Sequence, residues 1–449
     1  ENDGTKWTFK IRENVPFSDP SCGNVTAEDV KYSLDRILGD DSRAGPARTM
    51  RRVIDTAEVV DAQTLVVNLK APDFLLDKGY FGESQQMGIV CKSYVEAKGE
   101  ESATAMPVGT GPYVVSESVE GAEITLTLRD DLGDGHWRVS PEFETVVLKS
   151  VPEEATRVAM IQAGEADIAP VSFDSIPGLK ANGIRIVSAE KTWSPVIRLG
   201  GTVQTDEKRF NKDNPWADKR VRQAANYAIN KQAIVNDVLE GTAAVAAGPT
   251  PPAFAWAYNE ALEPYPYDPE KAKALLAEAG AEGAELTFYV TEGGSGMLDP
   301  IAMGTAIQAD LEAVGFDVKI ETYEWNTFLG QVNPGLEGKA DMAEMAWMTN
   351  DPDTLPYLAL RTDAWPDKGG FNSGYYSNPE VDKLLEAARV ATDQGERAKL
   401  YQQMQEIVQD DAPWVFVANW KQNAVTNDRV ENFVLEPSFF LLLKDVVKN

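Results

Sequence analysis

The chain has 449 residues, 43% hydrophobic and 25% charged, with a formal charge of −29. That length implies two or three domains, and the composition is that of a folded globular protein, not a disordered one. The acidic surplus argues against sequence-independent nucleic-acid binding and against adsorption to anionic lipid, and two cysteines with one histidine remove most metal and Cys/His nucleophile chemistry.

The chain opens with Thr5, Trp7, Phe9 and Ile11 alternating with polar residues, the pattern of a half-buried strand with no lead-in. We therefore expect a segment carrying any export signal to precede it. No apolar run is long enough to cross a bilayer. Residues 16–24 read as a loop, Thr26 with Asp29 as a capping box, and Val30, Leu34 and Ile37 as the buried stripe of the helix that follows. A strand at 64–69, an apolar segment at 74–76 and a strand-like run at 87–91 complete an α+β unit, which ends in the Gly/Pro-rich crossover at 107–113.

Longer alternating strands follow at 124–128 and 145–148. A helix at 153–163 then closes on Gly164, and a short strand lies at 167–169. His136 falls in a Gly-rich turn and reads as an exposed turn residue. Gly109-Thr110-Gly111 lacks the third glycine of a dinucleotide fingerprint and is followed by Pro112.

Helices are expected at 216–230 and 231–239, then an Ala/Pro-rich excursion at 243–266 with Phe254, Trp256, Tyr258 and Tyr265 to bury. Asp268-Pro269 starts a helix that Gly280 ends. A strand at 286–290, a helix at 299–314 and a strand at 318–323 lead into the run 342–348, which reads as a strand buried on both faces. Strand, helix and strand in that order imply a parallel or mixed sheet. Helices at 379–390 and 396–409, strands at 415–418 and 423–426 and an apolar run at 439–443 finish the chain.

The run 342–348 stops at Thr349-Asn350-Asp351-Pro352-Asp353, because Pro352 donates no ladder hydrogen bond and the Asn/Asp cluster favours a turn. A buried strand ending in a polar turn presents polar groups at the mouth of a cleft, here Asn350 and Asp351 beyond Trp347.

Seven stretches, in order, resemble the extracytoplasmic solute-binding proteins of the peptide/nickel/opine type that feed ABC importers. They are Trp7-Thr8-Phe9-Lys10-Ile11-Arg12, Val25-Thr26-Ala27-Glu28-Asp29-Val30, Gly109-Thr110-Gly111-Pro112-Tyr113, Gly164-Glu165-Ala166-Asp167, Arg220-Val221-Arg222-Gln223-Ala224 through Asn230, Tyr267-Asp268-Pro269-Glu270-Lys271-Ala272, and Asn378-Pro379-Glu380-Val381-Asp382. The resemblance implies a mixed α/β fold with two lobes closing on a solute by a hinge. One lobe is split between 113–192 and 420–449, the other is 193–419, and an extra domain covers 1–112. It also implies a monomer partnered by an importer permease, outside the cytoplasm (periplasmic, or lipid-anchored at the outer face of the membrane), with no cofactor, no metal and no nucleic acid.

Peptide-binding members place an aspartate three residues after the central tryptophan to pair with the ligand's amino group. Asn350 stands there, with Asp351 next to it. Dipeptide-binding relatives carry an arginine before the 299–314 helix, where this chain reads Thr-Glu-Gly-Gly-Ser-Gly-Met-Leu. Glu344 replaces a basic residue of oligopeptide binders. The resemblance further implies aromatic walls from Trp193 and Trp325 and an amide from Asn372. The expected solute contacts are thus Trp193, Trp325, Glu344, Met345, Trp347, Asn350, Asp351 and Asn372. Peptide is the default ligand, and an oligosaccharide or cationic solute is the alternative that suits the replaced anchors. A glycosidase pairing Glu344 with Asp351 is the enzymatic alternative. Cys22 and Cys91 fit either one disulfide or two buried thiols.

Overall fold

The computed structural model describes the chain apart from residues 1–2, 41, 43–46, 83–86, 133–142, 173–174, 191–192, 201–213, 242, 295, 338, 349–350, 436–440 and 444. It divides into two compact units, Glu1–Ser188 with Asn423–Asn449, and Ala189–Gln422. The sequence reading divides the first of these once more, at residue 112.

In the first unit β1 (Lys6–Lys10), β2 (Ile54–Asp61) and β3 (Thr64–Leu69) form an antiparallel sheet in the order β1-β3-β2. Helix Ala27–Leu38 starts on the expected box: Asp29 Oδ2 accepts the Thr26 N–H at 3.0 Å and the Thr26 hydroxyl at 2.8 Å. Its Leu34 and Ile37 pack with Leu65 and Val67 of β3. Cys22 and Cys91 are bonded, with α-carbons 6.0 Å apart, which settles the open alternative in favour of the disulfide.

The strands β4 (Tyr113–Val119), β5 (Glu123–Leu128) and β6 (Thr145–Lys149) make a second antiparallel sheet. Helix Glu154–Ala163 ends at Gly164, whose φ of 74° is the left-handed cap a glycine supplies without strain. The strands β7 (Ile168–Pro170) and β8 (Arg185–Glu190) both pair with the returning strand Ala418–Thr426.

The second unit contains β9 (Trp193–Leu199), β10 (Ala243–Val245), β11 (Glu285–Thr291), β12 (Asp317–Tyr323), β13 (Met342–Met348), β14 (Trp414–Phe416) and the first part of β15 (Ala418–Thr426), which continues into the first unit from Asn423. Five of them form one sheet in the order β12-β11-β13-β9-β14. Here β11 runs parallel to β12 and β13, while β9 runs antiparallel to β13 and β14, the mixed sheet expected.

Strand alternation sorts its side chains into two cores. Leu286, Phe288, Val290 and Met342 face helices Lys219–Ala228, Pro269–Ala279 and Pro300–Val314. Tyr289, Ala343 and Met345 face helices Trp325–Val332, Pro379–Val390 and Gln394–Asp411.

Several boundaries differ from the sequence reading for local reasons. The helix expected over 216–230 begins at Lys219, because the Asp218 carboxylate accepts the Arg220 N–H and resets the start; Trp216 lies in a separate buried turn. After Lys231–Ala233 the coil widens to a π-type turn over Ile234–Val238, not the helix expected to 239. The two strands expected at 415–418 and 423–426 are instead β14 and one long β15. Its polar Asn419, Gln422 and Asn423 are buried and hid the continuity. The apolar run at 439–443 falls partly outside the described residues.

Candidate functional site

In an open α/β sheet, a crevice opens at the carboxyl ends of parallel strands where neighbouring connections leave to opposite faces. The second unit has such a point. After β11 the chain enters helix Pro300–Val314 on one face, and after β12 and β13 it enters helices Trp325–Val332 and Thr354–Ala359 on the other. The β11–β13 ladder itself covers only Phe288↔Met342 and Tyr289↔Ala343, so the two strands part toward their carboxyl ends.

Aromatic residues gather at this edge. Tyr323 is the last residue of β12, Trp325 opens the next helix, and Trp347 is the penultimate residue of β13. With Phe371 they are half-buried against the second core. Trp347 meets Phe371 edge-on at 5.2 Å between centroids, and Trp325 stacks on Phe328 at 5.9 Å. Gly294, at φ 151°, runs so close to the Trp325 indole that a β-carbon there would collide with it.

The register places the Trp193 backbone opposite Met348, at the same edge. Three expected aromatic positions, Trp193, Trp325 and Trp347, are therefore brought to one end of the sheet.

The expected polar positions are disposed differently. Asn350 lies outside the described residues. Asp351 holds its own turn: Oδ1 accepts the N–H groups of Asp353 at 2.7 Å and Thr354 at 2.9 Å, and Oδ2 accepts the Thr354 hydroxyl at 2.5 Å. Burial, helped by the neighbouring Asp353, raises its pKa.

Asn372 is 1% exposed and its amide is committed within the chain. Nδ2 donates to the carbonyls of Arg361 and Tyr376, and Oδ1 accepts the Tyr376 N–H. Met345, 4% exposed, packs in the second core, and Glu344, 0% exposed, sits inside the sheet. Alternation on a strand covered on both faces buries both of these, and of the expected β13 positions Trp347 alone stands half-buried at the edge.

Sequence reasoning passed over Tyr323, Phe371, Thr291 and Gly294. The signal for Tyr323 was present, since it ends an expected strand; Thr291 lies one residue beyond the strand expected at 286–290, which runs on to include it, and Phe371 follows two glycines. A buried anchor was also missed. Arg389 donates to Asp353 Oδ2 from Nε at 3.0 Å and Nη2 at 2.5 Å, Tyr401 donates to Oδ1 at 3.1 Å, and the guanidinium lies 3.1 Å from the Tyr357 ring centre. This anchor fixes the turn beyond β13.

The sequence profile of the bacterial extracellular solute-binding proteins, family 5 Middle, matches residues 1–368. The heme-binding protein A of Haemophilus influenzae is 30% identical over 97% of this chain and 80% of its own length. The dipeptide-binding protein of Escherichia coli is 28% identical over 97% of this chain and 82% of its length. Among solved structures, the periplasmic binding protein DppA of Helicobacter pylori, in complex with peptide STSA, superimposes with a TM-score of 0.79 at 27% identity, covering 100% of this chain and 87% of that one.

Proposed function

The chain belongs to the bacterial extracellular solute-binding proteins of family 5, and from that membership we propose that its solute is a short peptide, received at the aromatic carboxyl edge of the second unit's sheet. It is a substrate-binding protein serving an ABC importer outside the cytoplasm. The observation that carries the ligand reading is the edge itself. Tyr323, Trp325, Trp347 and Phe371 offer half-buried aromatic faces, and a peptide side chain covering about 100 Å² of such surface gains about 2.5 kcal/mol.

The alternatives lose their anchors. A cationic solute would need an exposed acid, but Glu344 is buried and the Asp351 carboxylate already accepts three hydrogen bonds. An oligosaccharide would use the Asn372 amide, which is committed to Arg361 and Tyr376. The same two facts tell against Glu344 and Asp351 as a glycosidase pair, and binding without turnover is part of this reading. A monomeric state, three structural parts with a boundary at residue 112, and a periplasmic or lipid-anchored location complete it.

Isothermal calorimetry tests the ligand. Peptide STSA and a dipeptide mixture should bind with micromolar or tighter affinity, with no loss of peptide over hours. Hemin is the comparator: a hemin response with no peptide response would overturn the peptide reading. Light scattering checks the monomer.

A further inference from the structure

Glu344 occupies the middle of β13, fully buried. Its strand neighbours on the same face are Met342 and Ala346, and Met297, Leu298 and Trp420 pack against Ala346. A leucine would suit these surroundings, and a carboxyl group persists in them only with a polar partner.

The partner is a backbone group. Glu344 Oε1 accepts the Thr291 N–H at 2.7 Å, whereas Oε2 has no hydrogen-bond partner among the described residues. Thr291 is the last residue of β11, two residues beyond the final β11–β13 pair. Its N–H therefore has no ladder carbonyl on β13, and the Glu344 side chain spans the gap as a substitute rung.

The path of the chain beyond Thr291 depends on this bond. The Thr291 hydroxyl donates to the Gly293 carbonyl at 2.5 Å, the Glu292 N–H donates to the Tyr323 carbonyl at 2.9 Å, and Gly294 then lies against the Trp325 indole. We propose that Glu344 is a positioning residue for solute binding: its carboxyl spans the parted ends of β13 and β11 and, through the Thr291 amide, sets the Glu292-Gly293-Gly294 turn against Trp325.

The surroundings favour the neutral form of the carboxyl. Burial pushes its pKa well above the usual carboxylate range, and the Thr291 bond opposes this only in part. The charged residues on the packed elements, Glu292 and Asp299 of the loop and Lys421 beside Trp420, are exposed, and no ion pair among the described residues includes Glu344. A neutral acid accepts the amide bond without drawing a counter-ion into the sheet.

The role in solute binding rests on the peptide reading above; the role in setting the turn does not, and two measurements separate them. Amide hydrogen exchange on the ligand-free protein is followed over residues 289–294 in wild type, Glu344→Gln and Glu344→Leu. The glutamine keeps an acceptor at Oε1, and the leucine removes it at similar volume. Leucine should speed exchange at Thr291 and Gly293 by about tenfold or more while leaving the rest of the sheet protected, and glutamine should restore protection.

Affinity for peptide STSA should fall about tenfold in the leucine variant and recover in the glutamine variant. Wild-type protection in Glu344→Leu, or loss in Glu344→Gln equal to that in leucine, overturns the proposal. If no peptide binds wild type, the peptide reading fails and the exchange data alone decide whether Glu344 sets the turn.

Discussion

Replacing Arg389 by methionine strips Asp353 of both guanidinium hydrogen bonds and leaves it the Tyr401 hydroxyl at 3.1 Å. Asp353 is 1% exposed, so loss of its cationic partner leaves a buried unpaired charge, costing about 3–5 kcal/mol. Loss of the guanidinium above the Tyr357 ring adds about 1 kcal/mol, with Arg361, 4.2 Å from that ring centre, retained.

Urea unfolding of the Ala189–Gln422 unit should therefore show a deficit of about 4–6 kcal/mol in Arg389→Met. Asp353→Asn in the same background should recover much of it, because a buried neutral amide costs less than an unpaired carboxylate. A variant within about 0.5 kcal/mol of wild type, or a double variant no more stable than Arg389→Met alone, would refute the reasoning.

Lys231 is buried, its ammonium donating to Asn226 Oδ1 at 3.1 Å, and burial lowers its pKa to about 7. Because the unfolded chain binds this proton up to about pH 10.4, stability should rise with pH from about 7 upward, and Lys231→Met should flatten that part of a Tm-versus-pH series relative to wild type. Gly294→Ala forces a β-carbon into the Trp325 indole at a φ of 151°, and should cost about 1–3 kcal/mol and weaken peptide STSA in calorimetry; wild-type affinity would dissociate Trp325 from the solute face. The Cys22–Cys91 bridge spans 69 residues, so reduction should lower the stability of the first unit by about 2–4 kcal/mol and leave the melting of the second unchanged, as read by calorimetry with and without reductant.

Periodicity carried the fold far. The Thr26–Asp29 box, the stripe of Leu34 and Ile37, the strand–helix–strand order and the run buried on both faces at 342–346 are legible from residue spacing, because burial on one face or two writes itself into local order. The place of Trp347 at the end of that run was legible for the same reason, whereas Trp325 was expected from the family resemblance; both stand at the carboxyl edge of the sheet.

The polar residues were not legible, and the cause is where their partners lie. The short helix Thr354–Ala359 contains Pro356 in its first turn and no amphipathic run, so nothing in the sequence marked Asp351 as the group that holds its start. Asn372 was expected to offer its amide to a solute, but one of its amide bonds goes to the Arg361 carbonyl, eleven residues back. Glu344 is the sharper case. Its position within an apolar strand predicts either a solute contact or a mismatch, and the choice depends on the rung missing beside Thr291, fifty-three residues away. A polar residue in a buried strand therefore needs the ladder around it counted before it is assigned to a ligand. Where a backbone N–H stands without a carbonyl, that group, being inside the protein already, has the prior claim on the side chain.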